Sequence, residues 1–303
     1  MDRVFVIIVT YNGLTWLNHC LNSLRNSTIP ITTIVVDNAS NDGAPDFIRS
    51  YFPEIVLIES KANLGFGKGN NIALKYALEH NCNYVFLLNQ DAWIEPNTIE
   101  QLVFAHHNHP EYGLISPMHL NTAKTGLVMK YFCQQPNNEK LITDLYFNQL
   151  SEIYETTYIH AAAWLLPRKT LETVGGFDPI YQHYEEDDDY LNRVRFHKLK
   201  IGICPKARIV HDHRSKSSNP FNIKSRYHHE QELLVKLTDL NSSISVFNYA
   251  VYFLRKSFVS FLKGKPLIAK EFWRDFVFVV KSKKTVENSR KKNSAASNTW
   301  LGT

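Results

Sequence analysis

Four short apolar runs alternate with amphipathic stretches through the first hundred residues, and this alternation constrains the fold more than any other feature. The runs are Val4 to Thr10, Thr33 to Asp37, Ile55 to Glu59 and Tyr84 to Leu88. Each is mostly β-branched or aromatic with little polar alternation, as expected of parallel strands buried on both faces of a sheet. Helical patterns follow them, over Thr15 to Asn26, Ala44 to Tyr51, Gly67 to His80 and Thr98 to His109. A βαβαβαβα order demands right-handed crossovers and predicts a layered α/β sheet with helices on both faces. Such sheets bind ligands beyond the carboxyl ends of their strands. The unusual residues gather there: TYN, DNAS, NLGFGKGNN and NQDA follow the four strands in turn.

Further along, the pattern loosens from about Asn121 to Thr157, which reads as a variable insertion. Order returns with the strand-like YIHAAAWLLP, a short helix from Arg168 and the turn Gly175-Gly176-Phe177-Asp178. The acidic run Glu185 to Asp189 opens a helix ending near Lys198, and a last strand, Lys200 to Cys204, leads into PKARIVHDH. Beyond residue 220 the pattern is helical, rich in Phe, Tyr, Lys and Arg, and it ends in SRKKNSAASN, whose composition predicts disorder. The expected division is a catalytic domain over 1–215 and a basic, aromatic-rich helical extension over 216–303.

Charge supports that division. Residues 1–215 hold 18 Lys+Arg and 23 Asp+Glu, a net of −5, whereas residues 216–303 hold 16 and 6, a net of +10. An acidic body with a basic appendage points to an anionic partner, nucleic acid or acidic lipid. No run is apolar enough to span a membrane, since Asn248 and Arg255-Lys256 interrupt the best stretch. The N-terminus enters VFVIIVT directly and reads as a buried strand, not a signal peptide, so a cytoplasmic location is expected. Cys20, Cys82, Cys133 and Cys204 form no CxxC and read as reduced core thiols.

Several residues could carry chemistry. NLGFGKGNN fits neither a dinucleotide fingerprint nor a Walker A loop; it offers a close backbone approach or simply a tight turn at a helix N-terminus. Asp37 could accept hydrogen bonds from a base or ribose, or cap the helix at Ala44. Asp91 leaves an apolar strand, where Mg²⁺ or Mn²⁺ with a diphosphate is a natural partner and a turn is the plainer one. In HYEEDDDYLNR five successive carboxylates exceed what helix-terminal stabilisation needs, and crowding raises the pKa of a carboxylate towards that of a general base. His211 and His213 could complete a cation site with Asp91.

Taken together these segments resemble the inverting family 2 glycosyltransferases of the GT-A fold, especially the bacterial rhamnosyltransferase-like branch. The resemblance spans about residues 3 to 214 and is carried by VTYN (9–12), VVDNASNDG (35–43), NLGFGKGNN (63–71), LLNQDA (87–92), GGFD (175–178), EDDDYLNR (186–193) and the stretch ending at His211. It implies a mixed, mostly parallel sheet with helices on both faces. It also implies a nucleoside pocket at Thr10, Tyr11, Asn12, Asp37 and Asn38, and a loop over the nucleotide at Asn63, Gly65, Gly67 and Asn70. Asp91 and His211 would hold Mg²⁺ or Mn²⁺, with Asn89 in place of the family's first acid and His213 a weaker ligand. Asp187 would be the catalytic base, Glu186 would orient the acceptor or Asp187, and Trp164 would stack on a sugar or serve as core.

The activity implied is transfer from a UDP- or dTDP-sugar (dTDP-rhamnose, UDP-galactose and UDP-N-acetylglucosamine all remain open) to a glycan or lipid-linked acceptor, in surface polysaccharide synthesis. A sugar-phosphate nucleotidyltransferase would carry a glycine-rich basic loop after the first strand, and TYNGLTW is not one. A nucleic-acid-binding protein would place its basic and aromatic residues on a sheet face or recognition helix, whereas here they lie outside an acidic body. The extension, with Phe, Tyr, Leu and Val among Lys and Arg over 244–280, fits either peripheral helices on an anionic membrane or a helical pair packed on the protein.

Overall fold

A computed structural model describes residues 2–128, 139–182, 184–212 and 226–301. Nine strands form one sheet in the order β3-β2-β1-β4-β8-β6-β9-β5, with β7 paired to β9 off this path. They are β1 Val4–Thr10, β2 Ile31–Asp37, β3 Val56–Glu59, β4 Tyr84–Leu88, β5 Ala92–Ile94, β6 Tyr112–Leu120, β7 Tyr154–Thr156, β8 Ala163–Pro167 and β9 Lys200–His211. The helices are α1 Leu14–Arg25, α2 Ala44–Tyr51, α3 Gly65–Glu79, α4 Thr98–Asn108, α5 Glu139–Phe147, α6 Arg168–Thr173, α7 Glu186–Phe196, α8 Arg226–Thr238, α9 Val246–Leu262 and α10 Pro266–Asn293.

Strands β1 to β4 pair in parallel, as the crossover pattern demands. β8 then enters antiparallel between β4 and β6, so the sheet is mixed. Alternate residues of β1 enter different cores. Phe5 and Ile7 pack under α3 and α7, while Val4, Val6 and Ile8 pack under α1, α2 and α4. Both faces are therefore dry, which is why the run is apolar throughout.

β9 is longer than its sequence pattern suggests. Between its pairing of Cys204 with Pro117 and of Arg208 with Met118 the ladder shifts, and the strand continues through Ile209 to His211. The offset leaves Pro205, Lys206 and Ala207 without partners on β6, a bulge that redirects the strand. The redirected half pairs antiparallel with β5, setting Ala92 opposite His211.

The expected boundary at 215/216 lies outside the described residues, as do Cys133 and His213. The end of the chain corrects the expectation of disorder. Helix α10 runs to Asn293, and Ser297 and Thr299 then bond to the body: Ser297 N–H donates to Thr173 O at 3.1 Å, and Gly176 N–H to Thr299 O at 2.8 Å. Leu301 is buried in the main core. The polar composition concealed an inward face made of small polar residues: Ser289 Oγ and Asn293 Nδ2 both donate to the buried Asp178. Tyr181, Leu233, Leu234, Leu237, Phe253, Val279 and Val286 form a separate core that joins the tail helices to the body.

Docking of the last residues has a measurable cost of removal. Leu301→Ala is expected to lower unfolding stability by about 2–5 kcal/mol, the usual range for emptying a buried leucine site. Urea denaturation checks it, and an unchanged midpoint would mean that the segment does not seal the core.

Candidate active site

The carboxyl ends of β1, β2 and β4 lie side by side, knitted together by their loops. Thr10 Oγ1 and Tyr11 N–H both donate to Gln90 Oε1, at 2.7 and 3.1 Å. Asn12, at φ 49°, donates its N–H to Ser40 Oγ and accepts from Asn41 N–H, both at 2.9 Å. Asp42 accepts from Leu14 N–H at 2.8 Å. Freed from packing, the Tyr11 ring faces a cleft of about 250 Å³ lined also by Asn38, Asn63, Gly65, Gln90 and Asp91.

Asp37, at the end of β2, is 2% exposed. Its Oδ2 accepts from Ser40 N–H at 3.0 Å, and its buried Oδ1 has no partner among the described residues. A buried acceptor in that condition calls for a donor from water or from a bound molecule.

The glycine-rich loop is held from two sides. Asn38 Nδ2 donates to Gly65 O at 3.1 Å, and Asn63 Oδ1 accepts from Gly65 N–H at 2.9 Å. Gly65 has φ 81°, and a Cβ there would lie 2.5 Å from Gln182 O, so both conformation and space require glycine. At Gly67 a Cβ would meet Phe177 Cβ at 3.0 Å and Glu186 Cβ at 3.8 Å. The first turns of α3 and α7 thus meet nearly backbone to side chain. Asn71 fixes the same contact, accepting from Phe177 N–H at 2.7 Å and donating to Phe177 O at 2.8 Å.

On the opposite wall the β5–β9 pairing delivers Asp91 and His211 together. Asp212 N–H donates to Asp91 O at 2.9 Å, Trp16 Nε1 donates to Asp212 Oδ2 at 3.0 Å, and His211 Nε2 stands 3.4 Å from Asp91 Oδ1. His211 is buried while Asp91 is partly open to the cleft. The rings of His119 and His160 lie 6.0 and 6.4 Å from that of His211. Among the described residues no cluster of three or more His, Cys, Asp or Glu is arranged to hold a metal by itself.

Helix α7 starts from two residues in the left-handed region, Tyr184 at φ 70° and Glu185 at φ 68°. Each costs about 1–2 kcal/mol for a non-glycine residue, and this pair sets the direction in which the acidic turn enters. Asp189 points inward to an ion pair with Arg193 Nε at 2.8 Å, both side chains buried. Glu186 is also buried, and its Oε2 has no partner among the described residues. Burial, then the neighbouring Asp187 and Glu185 carboxylates, push Glu186 up to about 7 against an opposing backbone hydrogen bond. Burial followed by the same two neighbours pushes Asp188 up to about 8. Asp187 is half-buried, its Oδ1 accepting from Asp188 N–H at 3.1 Å.

The model of the family "Glycosyl transferase family 2" matches residues 5–175. This chain is a family 2 glycosyltransferase. It is 25% identical over 266 residues to an N-acetylglucosaminyl-diphospho-decaprenol L-rhamnosyltransferase of Mycobacterium tuberculosis, covering 80% of this chain and 86% of that protein. It is 22% identical over 223 residues to the low-salt glycan biosynthesis hexosyltransferase Agl10 of Haloferax volcanii, covering 70% and 68%. In fold it resembles S. aureus TarS 1-349 in complex with UDP-GlcNAc, at TM-score 0.60, 17% identity and 96% and 88% coverage. It also resembles the Pyrobaculum calidifontis mannosyltransferase PcManGT in complex with GDP-Man and Mn²⁺, at TM-score 0.54, 17% identity and 95% and 75% coverage. The sheet is therefore that of a GT-A glycosyltransferase.

Within this family 2 glycosyltransferase the expected site residues divide. Tyr11, Asn63, Gly65 and Asp91 line one cleft, with Asp37 and Thr10 buried behind it. Asn38 also lines it, but its amide is engaged by the glycine loop, and Asn12 ties two loops together. Gly67 serves the α3–α7 contact, and Asn70 Nδ2 donates within its own helix to Phe66 O at 3.0 Å. Trp164 requires a correction. It is fully buried against Phe177 and Tyr190, so it is core and not a sugar platform; β8 is covered on both faces, and alternation could not say otherwise. Gln90 and Asp42 escaped notice in the sequence because their roles are hydrogen bonds across more than twenty residues of chain; the Asn71 amide, offered there for hydrogen bonding, is used on Phe177. His119 and His160 were equally invisible, being brought to His211 only by the strand order.

The raised Glu186 has a stability consequence. Its folded pKa of about 7 exceeds the ordinary 4.5, so the folded state favours the protonated form, and its contribution is lost as pH rises from about 4.5 through 7. Glu186→Gln is therefore expected to raise stability at pH 8 by about 3 kcal/mol and to have little effect at pH 4.5. Melting curves at the two pH values check this, and equal effects at both would remove the burial argument.

Proposed function

We propose that this protein transfers a sugar from a UDP- or dTDP-sugar to a hydroxyl of a glycan or lipid-linked glycan, with inversion, in cell-surface polysaccharide synthesis. The observation that carries this reading is the register that sets His211 Nε2 3.4 Å from Asp91 Oδ1, with Asp91 at a cleft whose other wall holds Tyr11 and with Asp37 buried behind it. The decaprenol-linked substrate in the name of the mycobacterial relative supports the acceptor class and the UDP-GlcNAc bound to TarS the donor class, while the GDP-Man bound to PcManGT supports a nucleotide-activated donor in general.

In this reading Tyr11 stacks on the nucleoside base, Asp37 Oδ1 accepts from it, and Asn63 and Gly65 cover the nucleotide. Thr10, Asn12, Asn38 and Asn70 hold these groups in place through the bonds described, and Gly67 through its close packing on Phe177. Asp91 and His211 suit Mg²⁺ or Mn²⁺, which takes one or two protein ligands and completes its shell with phosphates and water. When bound, such an ion would neutralise charge on the diphosphate leaving group. The Mn²⁺ in PcManGT supports this. Asp187 takes the proton of the acceptor hydroxyl as that oxygen attacks the anomeric carbon from the face opposite the diphosphate, and Glu186 orients it. Residues 1–215 form the catalytic part and 216–303 an extension that braces α7. The basic tail has no nucleic-acid role in this reading.

A second assignment of the base rests on one observation, the unpartnered Glu186 carboxylate oxygen with its pKa of about 7. Asp187→Asn is expected to lower turnover by about 10²–10⁴ with donor binding retained, the range for loss of a general base. A smaller loss there than in Glu186→Gln would transfer the role to Glu186.

The cation site is tested by melting. Nucleoside diphosphates with Mn²⁺ should raise the melting temperature of the wild type, because a ligand bound only to the folded state stabilises it. Asp91→Asn and His211→Ala should lose the Mn²⁺-dependent part alone. Equal stabilisation with and without Mn²⁺ in all three would sink the metal assignment.

A further inference from the structure

The hairpin of α9 and α10 carries an apolar tip into solvent. Phe258, Phe261, Leu262, Leu267 and Ile268 are 48–79% exposed, and α9 buries only Phe253 along its whole length. A contiguous apolar patch of this kind marks an interaction surface. A groove of about 410 Å³ runs between the two helices from the tip back to Trp273, and its one charged lining residue is Lys270. The far end of the hairpin is fixed to the body through Asp178 and through Arg290, which donates to Leu237 O and Asp239 O at 3.1 Å each. The tip is thus carried on an anchored arm.

Charge selects the occupant. Residues 254–270 contain Arg255, Lys256, Lys263, Lys265 and Lys270 and no Asp or Glu. A second copy meeting this tip would set like charges face to face, and nucleic acid would satisfy the lysines while leaving five large apolar side chains in water. An anionic bilayer accepts both, apolar side chains at the acyl boundary and basic ones at the phosphates. No helix among the described residues is long and apolar enough to cross a membrane. We propose that the α9–α10 hairpin docks this protein on anionic phospholipid, with Phe261, Leu262, Leu267 and Ile268 inserted and Lys263 and Lys265 at the headgroups.

Cosedimentation of the full chain with vesicles tests this without reference to transfer activity, so it stands or falls apart from the donor and acceptor assignments. Binding to phosphatidylcholine vesicles containing about a third phosphatidylglycerol should exceed binding to pure phosphatidylcholine by about tenfold or more. The double variant Leu262→Asp, Leu267→Asp should lose about tenfold or more of that binding. Its melting temperature should not change, since both side chains are exposed. Lys263→Glu with Lys265→Glu should weaken binding to anionic vesicles and leave binding to neutral ones unchanged. Equal binding of the aspartate variant and the wild type, or no preference for anionic lipid, would overturn the proposal. A self-associated species in sedimentation equilibrium, dissolved by the aspartate variant and accompanied by no vesicle binding, would overturn it in favour of a second copy.

Discussion

The ion pair between Asp189 and Arg193 is the contact around which the acidic face is organised. Both side chains are out of water, and Arg193 also donates to Val174 O at 2.9 Å, while Tyr190 donates to Gly175 O at 3.0 Å. One helix is thereby bolted to the turn before Phe177, and Phe177 is in turn held by Asn71 of α3. Breaking a buried pair of this kind leaves an uncompensated charge at a cost of about 3–5 kcal/mol. The pair also sorts the carboxylates. With Asp189 directed inward, helical geometry turns Glu186 towards Gly67 and leaves Asp187 half-open.

Much of this was legible beforehand, and the exceptions have physical causes. β1 to β4 announce themselves because two-sided burial demands uninterrupted apolar runs. β6 does not, since Ser116, Pro117 and His119 interrupt it; the two polar side chains are nevertheless buried, Ser116 donating to Ala163 O at 2.9 Å. The second half of β9 was hidden by Pro205 and Lys206, which mark the bulge and not the strand's end. The family resemblance located Asp91 and His211, but their adjacency depends on a pairing register that no local pattern encodes. Trp164 shows the converse limit: its strand is buried on both faces, so only the packing decided for the core over the sugar platform.

The tail illustrates how composition misleads. Basic and small polar residues at the end of the chain read as solvent-loving, yet Ser289 and Asn293 are interior because Asp178 accepts from both. The surrounding lysines remain exposed, so one helix is anchored along one face and charged along the rest. Within the same helix the apolar residues nearest the hairpin turn do the reverse, remaining in solvent.

The bond from Gly176 to Thr299 makes the intervening chain a closed loop of about 120 residues that contains α7, α8 and the hairpin. Closing a loop that size costs entropy that grows only slowly with length. Shortening the tail inside the ring would therefore change the closure cost little, while cutting it off before Ser297 would open the ring and free the turn at Gly175 and Gly176 that supports α7. An internal deletion and a terminal truncation of similar length are thus unequal operations on this protein, and only the first leaves the acidic helix tied at both ends.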